Sequence, residues 1–324
     1  MTTQPAYVSI HGKRIGLTPR GLRVDNRMIM PGGRIDDGGD VYYVSSVTGN
    51  TSSNGKDTQH PVKTLDAAFA LTKANNADVI AILPNHSETI TGVGGIAHDV
   101  AGVSVIGTGT YGQRPRFLMD GAATVTYLIS AADAFVTGLD LVSGQSNVAT
   151  AIGVTAPGAH IDNLKFSNNT TNEDFLVCIT ATGADDSADG MKVTNCGWHT
   201  IDTDDTAMIN IANNLLDFVA LGNKMISASA TASQFLKCED GAILLNGEIG
   251  YNKCFNLMTT GELFISNNQT VNSGVIYNNF SGHADVTTTH DNGWDTGGWR
   301  LFDNLSVSTV ALQGGIIPGA DVDL

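Results

Sequence analysis

The sequence predicts an all-β chain wound as a solenoid, and three observations predict it. Beyond residue 95, short β-type segments broken by Gly, Asn, Asp and Ser follow one another with no second amphipathic helix. Segments that end in a Gly or Asn corner recur: VSVIG to Gly107, FVTG to Gly138, HIDN to Asn163, MKVTN to Asn195, FVALGN to Asn223, GEIGYN to Asn252, GVIYN to Asn278 and RLFDN to Asn304, at intervals of 25–32 residues. A unit of that length, with two or three strands and no helix, buries its apolar face only by stacking on its neighbours. The corner Asn residues have a physical reason, because Asn tolerates left-handed torsions and its amide can bond to the Asn one coil above or below. A β-sandwich does not explain a persistent period, and a propeller blade needs about 40–50 residues. At about 4.8 Å per coil, eight coils make a rod about 40 Å long.

In chain order, residues 1–40 read as a basic N-terminal arm and linker. Lys13, Arg14, Arg20, Arg23, Arg27 and Arg34 stand against one acid, Asp25, so residues 1–34 carry +5 while the remainder carries −20. The runs Tyr7-Val8-Ser9-Ile10 and Leu22-Arg23-Val24 are expected to pair as a hairpin around Thr18-Pro19-Arg20-Gly21. The acidic, Gly-rich run 36–40 ends the arm. Residues 41–95 supply a strand at 41–47 (VYYVSSV), a turn-rich loop to 61, one helix and the first coil. Leu65, Ala68, Phe69 and Thr72 recur at helical spacing in an Ala-rich run from Thr64 to Ala74, with Asn75-Asn76 as the stop signal. An apolar strand follows at 79–83 and is halted by Pro84. Residues 96–324 are the coils and a closing segment.

Composition narrows the function. The net charge is −15 with only 15% charged residues, which disfavours general nucleic-acid binding, since that needs clustered positive charge. No run approaches the length of a membrane span, and Met1–Ser9 lacks the regions of a secretory signal, so the expectation is a chain folded in a cytoplasm. Cys178, Cys196, Cys238 and Cys254 form no CxxC pair and read as reduced core residues, with Cys196, Cys238 and Cys254 as inward stacking positions.

The stretch VYYVSSVTGNTSSNGKDTQHPVKTLDAAFALTKANNADVIAILPNHSETI resembles the entry of right-handed parallel β-helix proteins of the pectin-lyase-like superfold. In that family the helix caps the open end of the stack, where an uncovered coil would expose unpaired backbone groups. A narrower resemblance, carried by YVSIHGKRIGLTPRGLRV and ILPNHSETITGVGGIAHDVAGVSVIGTGTYGQRPRF (82–117), is to tailed-phage and prophage proteins that join a short basic segment to this β-helix. It implies a virion structural component. The superfold is shared by enzymes and non-enzymes and does not decide function.

Candidate chemistry is sparse. Asp202, Asp204 and Asp205 in HTIDTDDT, with His199 beside them and Asp185, Asp186 and Asp189 earlier, offer paired carboxylates for acid–base work or Ca²⁺. Asp204-Asp205 resembles polygalacturonase-type enzymes, but no Gly-His-Gly and no Arg-Ile-Lys run follows. A lyase wants a Lys or Arg base, yet residues 117–299 contain no arginine and only Lys165, Lys192, Lys224, Lys237 and Lys253. Lys224 and Lys253 follow corner Asn residues and read as solvent-facing. The bland reading of the acids, solvated loops that keep the rod soluble, is favoured.

The eight histidines form no HxH or HExxH spacing, and His283 and His290 around Asp285 read as a loop. Trp294 and Trp299 either close the C-terminal end of the stack or form a sugar-stacking platform, closure being favoured.

The reading that follows is a non-enzymatic virion protein without cofactor or metal: a right-handed parallel β-helix that decorates a capsid. Lys13, Arg14, Arg20, Arg23, Arg27 and Arg34 would grip the major capsid protein or another acidic virion surface. Homotrimerisation is expected by analogy with phage β-helices. The alternative is a tailspike-like protein that binds or cleaves a bacterial surface polysaccharide, with Asp202, Asp204 and Asp205 as its candidate acids.

Overall fold

The structure, a computed structural model, describes residues 39–170, 172–200, 205–227, 233–256, 265–266, 273–283, 298–308 and 315–316. It also gives the backbone of four strands between residues 7 and 29. From Val41 onward the chain winds as a right-handed parallel β-helix with three faces. In one full turn the chain runs along the first face at Phe135–Thr137, the second at Asp140–Ser143 and the third at Ile152–Val154. It returns to the first at His160–Asp162, one coil further on.

Parallel ladders join each coil to the next in register, as in Val136↔Ile161↔Val193, Leu141↔Phe166↔Trp198 and Ile152↔Ile179↔Ile209. These side chains point inward and are buried, so one continuous apolar core runs up the stack. Stacking like on like is how a unit too small to own a core acquires one.

First and second faces meet at a two-residue corner, and each residue has its own requirement. The first sits in the left-handed region at Gly138 (φ 78°), Asn163 (48°), Asn195 (55°), Gly222 (69°), Tyr251 (58°), Asn278 (52°) and Asp303 (50°). The second points inward: Leu139, Leu164 and Cys196 in the earlier coils, then Asn223, Asn252, Asn279 and Asn304, all buried. In the later coils the amides form a ladder. Asn223 Nδ2 donates to Asn252 Oδ1 at 2.9 Å, Asn252 to Asn279 at 3.0 Å and Asn279 to Asn304 at 2.9 Å. The expected bond between corner Asn residues is present there, with one correction. Asn163, Asn195 and Asn278 fill the first corner position and Asn223, Asn252 and Asn304 the second, so the ladder runs through Asn279 rather than Asn278.

The helix spans Leu65–Phe69 only, capped by Thr64, whose Oγ1 accepts from the Ala67 N–H at 3.3 Å. Leu65, Ala68 and Phe69 are buried in the first coils. The longer helix expected to Ala74 is cut off by Asp78, which is fully buried. Its Oδ2 accepts the Lys73 N–H at 2.8 Å, while Thr72 donates through both N–H and Oγ1 to the Phe69 carbonyl that Lys73 would otherwise reach. A buried carboxylate needing several donors outweighs one more helical turn.

The basic segment forms a four-stranded antiparallel sheet: Tyr7–Ile10, Lys13–Thr18, Gly21–Val24 and Arg27–Ile29. The hairpin across Thr18↔Gly21 is as expected. Tyr7–Ile10, however, pairs with the nearer strand, in the register Ile10↔Lys13, and not with Leu22–Val24. A two-residue connection closes at less entropic cost than the longer one. Lys13, Arg14, Arg23 and Arg27 lie on these strands; Arg20 and Arg34 lie outside the described residues.

The four cysteines are free and buried. Trp299, on the last first-face strand Gly298–Phe302, is buried in the core, which fits a closing role; Trp294 lies outside the described residues.

Candidate functional site

The acidic cluster expected around 202–205 is not a surface site at its one described member. Asp205 is 1% exposed. Its carboxylate accepts from Thr200 Oγ1 (3.0 Å), Ser227 Oγ (3.2 Å) and Ser233 Oγ (3.3 Å). Burial pushes this carboxyl up to about 7 against those hydrogen bonds. Asp202 and Asp204 lie outside the described residues. The earlier acids brace the next coil: Asp185 Oδ1 accepts from the Asn214 N–H (3.2 Å) and Asp189 Oδ1 from the Leu216 N–H (2.8 Å). They follow the third-face strand Val177–Ala181, whereas Asp205 precedes the next one, Ala207–Ile211, so the two groups sit at opposite edges of that face. His199 is exposed on the second face. His283 is on a second-face strand, and Asp285 and His290 lie outside the described residues.

A different cluster is brought together at the corner of the first and second faces. Arg116, Asp140 and Lys165 each open a second-face strand, and the ladder aligns them in one column, Arg116↔Asp140↔Lys165. They point outward because the next residues, Phe117, Leu141 and Phe166, point into the core. The column continues through Gly197, Lys224 and Lys253, whose lysines are exposed as expected.

Arg114 arrives from a corner loop far longer than the two-residue turns of later coils. It carries the short turn Tyr111–Gln113, and the half-buried Arg114 guanidinium donates to the Asn163 carbonyl two coils on. On the adjoining first face Asp162 accepts from Thr137 Oγ1 (2.9 Å), Thr194 Oγ1 (2.7 Å) and Asn195 Nδ2 (2.9 Å). Arg116 donates to Asn169 Oδ1 (2.8 Å), and Lys165 Nζ lies 4.0 Å from Asp140 Oδ2.

Arg114, Arg116, Asp140, Asp162 and Lys165 line a groove of about 1210 Å³. Burial raises the Asp140 carboxyl above its ordinary value, opposed by Lys165, Arg114 and Arg116. Burial likewise lowers the Arg114 guanidinium, opposed by Asp140, Cys196 and Asp162. The groove thus places three cations around two carboxylates of unlike environment, a combination suited to holding an anion and moving a proton beside it. A second groove of about 1030 Å³ shares Asp162 and continues along the first face to Tyr251. Among the described residues no group of three or more His, Cys, Asp or Glu is placed to hold a metal.

Sequence reasoning missed this site for a definable reason. Arg114 and Arg116 stand immediately before the arginine-free stretch 117–299, and their carboxylate neighbours lie one and two coils away. The signal was the corner period itself, which aligns positions 116, 140 and 165.

No protein-family model matches the chain, and no curated protein does. Among solved structures it is similar to a rhamnogalacturonan lyase, with a TM-score of 0.56 at 13% identity, covering 83% of this chain and 74% of that one. It also matches a GH136 lacto-N-biosidase from Eubacterium ramulus, at a TM-score of 0.37 and 10% identity over 82% of this chain and 67% of that one. Likeness at this identity establishes the parallel β-helix fold. The expectation of a non-enzymatic protein is corrected: the solved structure matched at a TM-score of 0.56 bears the name of an enzyme, a lyase.

Proposed function

We propose that the chain binds an acidic polysaccharide along the corner groove and cleaves it, the tailspike-like alternative of the two sequence readings. The observation that carries this is the gathering of Arg114, Arg116 and Lys165 with Asp140 and Asp162 in one open groove of an otherwise acidic molecule. A local cationic groove on an acidic body selects anionic ligands by focusing its field there. The fold likeness to a lyase supports cleavage by β-elimination.

In this reading Arg116 and Lys165 pair with a uronate carboxylate and acidify the neighbouring C5–H. Asp162 takes that proton as the C4–O4 bond breaks and the C4=C5 double bond forms. Asp140, whose carboxyl burial raises above its ordinary value, acts as the general acid that gives a proton to the leaving O4, and solvent returns both aspartates to their starting states. Arg114, drawn to both carboxylates, holds them in position.

The test is incubation with rhamnogalacturonan, polygalacturonate and bacterial capsular polysaccharides, read by the ultraviolet absorbance of the unsaturated product. Asp140→Asn is expected to lower turnover by about 10²–10⁴. New reducing ends without unsaturation would replace elimination by hydrolysis, and no cleavage of any acidic polysaccharide would refute the enzyme reading.

The basic segment completes the proposal as the mount of the rod on an acidic surface such as a virion shell, in a trimeric assembly. Its charge of +5 against −20 for the remainder supports that role. Copy number on purified particles, a handful against hundreds, separates a tail position from decoration of the head.

A further inference from the structure

At the first corner position the backbone is left-handed in all seven corners described above, and six of the seven residues there are Gly, Asn or Asp. Those types enter this region at least cost. The exception is Tyr251, at φ 58° and 57% exposed. A bulky residue held in a disfavoured conformation, with its ring in solvent, needs a reason outside the stability of its own coil.

The surroundings supply one. The Tyr251 ring stands edge-on to Tyr277, with centroids 5.3 Å apart at 85°. Tyr277 is itself fixed: its hydroxyl donates to Glu248 Oε1 at 2.6 Å, and its ring lies over Gly250, where an added Cβ would come within 2.6 Å of the ring. Tyr251 is also one end of the second groove, whose other end holds Phe135 and His160 with rings 5.0 Å apart. Between them lie Asp162, Thr194 and Asn195. The two ends are four coil steps apart, about 19 Å at 4.8 Å per step. That length spans several sugar rings.

We propose that the second groove is a subsite track that carries the same polysaccharide chain past Asp162, with Tyr251 stacking against a sugar ring at its far end. An exposed ring at one end, the half-buried His160 ring at the other and hydrogen-bonding groups between suit a chain of alternating C–H faces and hydroxyls. A purely apolar partner would leave Asp162 and Asn195 without their solvent. The strain at Tyr251 is then retained for a rigid exposed ring of low conformational entropy. This rests on the proposed function only in taking the ligand to be a polysaccharide.

The test compares wild type, Tyr251→Asn and Asp140→Asn on an array of plant and bacterial glycans, with melting curves. Tyr251→Asn is expected to weaken binding roughly 5- to 10-fold while melting no lower than wild type. Unchanged glycan affinity overturns the inference. So does a clearly lowered melting temperature, which would show that Tyr251 is kept for packing. If Asp140→Asn cleaves normally while Tyr251→Asn loses binding, the cleavage assignment fails and the track stands. If the wild type binds no glycan, both fail.

Discussion

Replacing Asn252 by Ala removes the middle rung of the amide ladder, and the cost can be worked from its bonds. Asn252 Oδ1 accepts two hydrogen bonds from Asn223, one from its backbone N–H and one from its Nδ2, each at 2.9 Å. Its Nδ2 donates to the Ala220 carbonyl (2.9 Å) and to Asn279 Oδ1 (3.0 Å). Asn279 Oδ1 keeps a second donor, the backbone N–H of residue 252 at 2.9 Å, and Asn223 Nδ2 keeps the Val193 carbonyl at 2.9 Å. Two donors of Asn223 therefore lose their acceptor, in a side chain 1% exposed where water does not replace it. At about 1–3 kcal/mol for each unsatisfied buried group, the expected loss is about 2–6 kcal/mol. The control is Asn50→Ala, which removes a side chain accepting from Ser52 N–H and Oγ at 3.1 and 3.0 Å on the exposed surface. There about 0.5 kcal/mol or less is expected. Equilibrium urea unfolding by circular dichroism measures both variants, and hydrogen exchange reads the Asn223 amide directly. If Asn252→Ala costs no more than Asn50→Ala, or the Asn223 amide keeps its protection, the ladder is not a source of stability.

Two buried groups predict opposing pH effects. Asp205, raised to about 7, binds more protons folded than unfolded between about pH 4 and 7, so stability falls as pH rises through that window. Asp205→Asn should flatten that fall in the urea midpoint, and an unchanged slope would refute it. His98, fully buried against Phe69 at a ring distance of 4.7 Å, is lowered to about 4 by burial. It binds fewer protons folded than unfolded between about pH 4 and 6.5, so it lends stability that is complete above that window and lost as pH falls through it. His98→Phe should therefore expose a steeper decline toward neutral pH; a profile identical to wild type would show that His98 titrates normally.

The fold was legible because its constraint is periodic. Any coil needs a left-handed corner residue and an inward one after it, so Gly and Asn recur whatever the loops do. The one-residue misalignment at Asn163, Asn195 and Asn278 arose because both corner positions favour Asn, the first for torsion and the second for its amide. The helix was overread because Asp78, which ends it, is recruited by a partner 38 residues away, the Asp40 N–H, as well as by Lys73, and helical spacing carries no sign of that contact. The site was illegible for the opposite reason. Arg116, Asp140 and Lys165 are unremarkable residues one coil apart in sequence, and only the ladder makes them neighbours.

The ladder and the strained tyrosine are one device. Tyr251 immediately precedes Asn252, and both sides of that residue are pinned. Its N–H is held by Asn279 below, and its side chain is tied to Asn223 and Ala220 above. A left-handed tyrosine persists only where surrounding bonds over-determine the backbone, and the amide ladder supplies that in the coil where the earlier corners have only Leu139, Leu164 or Cys196. The coils that carry the proposed cleavage site have relaxed corners and a long loop above them, whereas the coils with amide-locked corners carry the exposed ring. Loosening the lock at Asn252 should therefore weaken glycan binding even though Asn252 is buried and touches no ligand. Relaxing the strain by Tyr251→Asn should leave the ladder and its exchange protection intact.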